Sequence, residues 1–160
     1  MIQRIQSFYL LLVVVAGILL FFLPLATYLS ELGVYRFYLY GIKDMVHDPF
    51  GEPNPSLFSY WFGIPLSAVQ GLIVLVGVIT IFQYRKRLLQ IRLNRLNIFL
   101  QVILVGGIFF FSNMIESKVL ATADYGIGNV LPLISIILLF LANNGIRKDE
   151  KLIRSADRLR

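Results

Sequence analysis

The sequence predicts an all-α membrane protein, a four-helix transmembrane bundle with both termini on the inner side. Three observations carry that expectation. Of 160 residues, 58% are hydrophobic and the mean hydropathy is +0.76, whereas soluble domains hold about 45–50% apolar residues. The apolar residues are gathered into four long runs. The cations lie unevenly in the connections between those runs, which orients the chain.

The first predicted span covers residues 7–28, and its 8–26 stretch, FYLLLVVVAGILLFFLPLA, carries no charge. A helix of that length reaches about 28 Å, close to the ~30 Å hydrocarbon core. Arg4 precedes it, which raises a cleaved signal peptide. The run is too long for such a segment and LPLATYLS offers no small-x-small cleavage site, so a retained span is expected. Pro24 falls near its outer end, where a broken backbone hydrogen bond is easily satisfied.

The second span, 60–84, has Ile64–Phe82 as its uncharged centre. The third, 95–116, is purely apolar over 102–111, after Gln101. The fourth, 127–146, has its apolar centre at 130–142, preceded by Gly126 and Gly128 and followed by Asn143, Asn144 and Gly145. The connections are then outer loops 29–59 and 117–126, an inner loop 85–94 and an inner tail 147–160. The outer loop 29–59 divides in two. GVYRFYLYGIKDM is aromatic-rich, β-prone and punctuated by Gly33 and Gly41, which predicts a short strand or hairpin. HDPFGEPNPS is turn chemistry. A second outer turn, around 121–128, is placed to touch that loop.

Orientation follows from the cations. Arg4, then Arg85, Lys86, Arg87, Arg92 and Arg95, then Arg147, Lys148, Lys151, Arg154, Arg158 and Arg160 make twelve on one side, against Arg36, Lys43 and Lys118 on the other. Cytoplasmic connections hold the excess, so both termini are predicted inside. The net charge of +6 therefore reflects topology, and no nucleic-acid partner is expected. Absence of cysteine excludes disulfides, thiolate metal sites and iron–sulfur clusters.

Candidate binding residues lie mostly in the inner segments. In YRKRLLQIRLNRLN, Arg85, Lys86, Arg87, Arg92 and Arg95 alternate with leucine and isoleucine. They suit anionic headgroups or a protein partner, although an ordinary positive-inside anchor is the simpler reading. In the tail, Arg147, Lys148, Lys151, Arg154 and Arg158 accompany Leu152, Ile153, Ala156 and Leu159 on one helical face. That predicts a short amphipathic helix, lying on the membrane or docked on a partner.

Within the spans, Gln70 and Gln101 read as interhelical hydrogen-bond formers, while Ser67 with Gly71, and Gly106 with Gly107, read as close-packing positions. Thr80, Ser112, Asn113 and Ser135 are the other polar span residues, and Glu116, at the outer boundary, is the one ionisable group. His47 with Asp48 is the one pair resembling acid–base chemistry, and its turn-rich loop favours plain solvation. Asp44, Asp48 and Glu52 match no cation-binding loop. Trp61, with Tyr60 and Phe62, fits an interfacial aromatic belt. No catalytic residue, cofactor or metal is expected.

The opening MIQRIQSFYLLL and the closing IRKDEKLIRSADRLR together resemble the two ends of domain-of-unknown-function family 4293, small four-span inner-membrane proteins of Bacteroidota. The resemblance covers essentially the whole chain and implies a Gram-negative inner membrane with the 29–59 loop in the periplasm. It brings no activity, substrate or cofactor. The expected function is a non-enzymatic accessory or scaffolding subunit of a membrane complex. The alternatives are a small oligomeric transporter or channel and a lipid-modifying membrane enzyme.

Overall fold

The structure, a computed structural model, describes residues 2–30, 33–45, 63–84 and 86–157, with side chains from residue 5 to residue 150. It is mostly helical, with α1 (Ile2–Leu19), α2 (Ile64–Phe82), α3 (Arg87–Val119) and α4 (Val130–Asp157). Among the described residues four strands join them: β1 (Ala26–Ser30), β2 (Gly33–Tyr38), β3 (Gly41–Asp44) and β4 (Ala123–Tyr125). A 3-10 turn, Ile127–Asn129, leads into α4. Both α1 and α3 pack against α2 and α4, so the helices form a ring in chain order.

Among the described residues three helices are long and apolar enough to cross a membrane, Ile64–Phe82, Arg87–Val119 and Ile127–Glu150. The described apolar part of α1, Ile5–Leu19, is shorter. Pro65 and Pro132 fall in the first turns of α2 and α4, where the N–H groups have no intrahelical partner and a helix tolerates proline. α3 ends on Leu120, which takes the left-handed conformation (φ 53°) and donates its N–H to the Glu116 carbonyl.

Two predicted boundaries move. The first helix ends at Leu19 instead of continuing to residue 28, and the last nine of those residues form a turn and then β1. The physical cause is Pro24: it lacks an N–H and disfavours helical geometry at Leu23. Phe21 and Phe22 already close tighter bonds to Ile18 and Leu19. At the other terminus, no separate short helix follows the fourth apolar segment. α4 runs unbroken from Val130 to Asp157 through Asn143, Asn144 and Gly145, because no proline intervenes and Gly145 lies against Gln6 of α1. Likewise the inner loop shrinks, with α3 already helical from Arg87.

The β-prone half of the outer loop forms the β2–β3 hairpin, within a larger antiparallel sheet of order β3-β2-β1-β4. β1 pairs with β2 through Tyr28↔Tyr35 and with β4 through Tyr28↔Ala123. So the outer turn expected to touch the loop contributes its own strand. Burial alternates with the period of two that a one-sided sheet imposes: Ala26, Tyr28, Tyr35 and Phe37 face inward. They pack on Leu66, Leu104, Ile108, Ile115 and Val119 of the helices. The sheet thus closes one end of the bundle.

Candidate functional site

The buried face of α3 changes character along its length. Gln90, Asn94, Asn97 and Gln101 recur at spacings of four, three and four, and each is buried. The same stripe continues as Leu104, Ile108, Ser112, Ile115 and Val119. The buried face of α3 is therefore largely amide in one half and largely hydrocarbon in the other.

Neighbouring helices add to the strip. Gln70 of α2 donates to the Gly17 carbonyl of α1 at 2.8 Å. Asn97 donates to the Ile73 carbonyl at 3.3 Å, and Gln90 to the Thr80 carbonyl at 3.2 Å. Gln6 of α1 donates to Asp149 of α4 at 2.8 Å, a buried clasp. The carbonyl oxygens of Gln70, Asn97, Gln101 and Asn143 accept no hydrogen bond from the chain, and Asn94 uses neither amide atom although it is 0% exposed. Buried amides are ordinarily satisfied, so this strip has polar capacity to spare.

Predicted packing positions separate into two groups. Gln70 joins α2 to α1, and a Cβ on Gly107 would lie 2.9 Å from Leu66. Gly71 and Gly106 face open space, and Ser67 donates to the Leu39 carbonyl in the β2–β3 turn. Close approaches fall instead at Gly17, where a Cβ would meet Gln70 at 2.8 Å, and at Gly77, 3.0 Å from Val14. The 90/94/97/101 spacing was the sequence signal for the strip, but its first half lay in a stretch expected to be an inner loop.

Of the ten basic candidates, three come together: Arg95 of α3 with Arg147 and Lys148 of α4 line one cleft. Arg92 does not line that cleft and is exposed, as is Lys86 before it; Arg87 opens the helix. The side chains of Lys151 and Arg154 lie outside the described residues, as do Arg85 and Arg158 altogether. The same holds for His47, Asp48, Glu52, Tyr60, Trp61 and Phe62. Among the described residues, no three histidine or acidic side chains converge on a metal-sized site.

At the sheet end, Glu116 accepts the Ala123 N–H at 2.7 Å, tying α3 to β4. Tyr28 and the Ser112 hydroxyl share a 2.7 Å hydrogen bond inside the core. On the hairpin, Tyr38 and Tyr40 stack at 5.4 Å, and the Lys43 ammonium lies 5.4 Å from both ring centres. Hydrogen bonding to Tyr40 raises the Lys43 pKa, so the group stays cationic and this hairpin patch is aromatic and positive at once.

The family described as Domain of unknown function (DUF4293) matches residues 2–159, and the chain belongs to it. No curated protein and no solved structure matches the chain.

Proposed function

We propose that this DUF4293 protein is a membrane-embedded accessory or scaffolding subunit without catalytic chemistry of its own. In this reading it sits in a bacterial inner membrane, crosses it four times and keeps both termini in the cytoplasm. The cation asymmetry supports that orientation, because the sheet end carries Arg36, Lys43 and Lys118 while the opposite end carries the basic segments. The observation that carries the accessory role is the continuity of α4. Its apolar part runs without a break into the charged turns that hold Arg147, Lys148, Lys151 and Arg154. The Gln6–Asp149 bond clasps that extension to α1. A helix continued in this way presents charged groups in a set direction at little ordering cost on binding, which suits a docking post better than a surface-lying amphipathic segment.

Crosslinking mass spectrometry on native membranes tests the proposal, with the affinity tag placed in the outer loop. Reproducible crosslinks from Lys148 or Lys151 to one other protein are expected, and truncation after Ile146 should remove them without releasing the chain from the membrane. Crosslinks confined to copies of this chain would overturn it.

A second reading, a small oligomeric channel or transporter, draws on the amide strip. Buried polar side chains with unused acceptors suit a polar solute or water path. Flux of small polar solutes into reconstituted vesicles that Asn94→Leu abolishes would favour it, and vesicles no leakier than protein-free ones would discard it.

A further inference from the structure

Where α1, α3 and α4 meet near the charged end of α4, the surface opens into a cleft of about 950 Å³. Its walls are apolar: Tyr9 from α1, Leu88 and Ile91 from α3, and Leu141 from α4. Three cations flank those walls, Arg95 on α3 and Arg147 and Lys148 on α4, against the single carboxylate of Glu150.

We propose that this cleft is a binding site for an anionic phospholipid, its negative headgroup held by Arg95, Arg147 and Lys148 and its upper acyl chain lying along Tyr9, Ile91 and Leu141. The pairing of surfaces selects the occupant. A soluble anion would leave the apolar walls in contact with water, and a neutral lipid would leave the excess positive charge unanswered. An amphiphile with an anionic head satisfies both, and basic pockets between transmembrane helices on the cytoplasmic side favour such headgroups. Supply is lateral, since Leu88 and Leu141 are themselves exposed and continue into the apolar outer faces of their helices. The cations come from two antiparallel helices, so a bound headgroup would also bridge α3 to α4 where Asn94 and Asn143 leave amide atoms unpaired.

The proposal rests on the membrane insertion proposed above. Carbonate extraction of native membranes tests insertion separately: a chain released to the supernatant refutes insertion, whatever the lipid result.

For the site itself, the full chain purified in mild detergent is titrated with phosphatidylglycerol, cardiolipin or phosphatidylethanolamine and read by native mass spectrometry. Anionic lipids should bind in a saturable one-per-chain step that phosphatidylethanolamine does not reproduce. Arg95→Gln should weaken that step about fivefold, and Arg147→Gln with Lys148→Gln by more, as expected from the attraction of each cation to an anionic headgroup. Arg92→Gln, on the same helix but outside the cleft, should leave it unchanged, with circular dichroism confirming the fold of each variant. Equal retention of zwitterionic and anionic lipid would overturn the site. So would an equal loss with Arg92→Gln, which would mean diffuse surface charge, or an acidic protein segment that co-purifies on the cleft and is not displaced by lipid.

Discussion

One helix, α3, buries a single face along its length, and the two ends of that face are built from opposite materials. Towards the sheet, the stripe is Leu104, Ile108, Ile115 and Val119, packed beneath Tyr28 and Phe37, and its Ser112 hydroxyl is hydrogen-bonded to Tyr28. Towards the opposite end, the stripe is Gln90, Asn94, Asn97 and Gln101, with acceptors left over. The first region is specified by shape, because apolar side chains packed at solid-like density leave one good fit. The second is held by side-chain bonds to backbone carbonyls, each made at modest net gain. The sheet end is therefore expected to be sensitive to substitution and the amide end tolerant, and substitutions from both can break that contrast. Each is measured as the shift in unfolding free energy by denaturing-detergent titration of the purified protein.

The largest effect is expected at Gly63. A Cβ there would lie 2.1 Å from the Tyr40 carbonyl, which is backbone and cannot rotate away. Gly63→Val should displace the sheet from the start of α2 at a cost on the order of 4 kcal/mol; a near-silent variant would mean that the sheet does not rest on α2. Leu104→Ala follows, with about 3 kcal/mol lost to an unfilled cavity in the fully buried core. Tyr28→Phe removes one buried 2.7 Å hydrogen bond and should cost about 1 kcal/mol, because the Ser112 hydroxyl can turn to its own helix.

At the amide end, Asn94→Leu should be neutral, or stabilising by up to about 1 kcal/mol, since it replaces an unpartnered buried amide with a side chain of similar size. Destabilisation there beyond that range would show that the amide is engaged and would lend weight to the polar-path reading. Smallest of all is Leu120→Gly at the end of α3. Glycine adopts the left-handed geometry without a Cβ penalty, so a gain of about 0.5 kcal/mol is expected.

Much of the helical skeleton was legible residue by residue. The Ile64–Phe82 helix coincides with the uncharged centre of the second apolar segment, and the GVYRFYLYGIKDM composition announced the β2–β3 hairpin. Residues 20–28 misled because LFFLPLATY is apolar enough to extend a helix on hydropathy alone. Only the neighbours waiting in β2 and β4 make β1 the better state, since they supply partners for its backbone groups. The candidate site was legible in pieces. Gln70 was identifiable as a bond former, but Gln90 and Asn94 lie beside Arg87, Arg92 and Arg95, and neighbouring charge suggested an inner loop over 85–94. Glycine roles were hardest, because Gly71 and Gly77 look alike in sequence and differ only in what stands opposite them.

By itself, then, the sequence determined which segments are long apolar helices and how the cations divide between their ends. Both are sums over a window of neighbouring residues and need no knowledge of the rest of the chain. Tertiary structure decided where α1 stops, that both outer connections meet in one sheet, that half of α3's buried face is polar, and that Arg95 stands with Arg147 and Lys148. Those outcomes depend on pairs of residues distant in sequence, whose contact energy exists only once the ring of helices has closed.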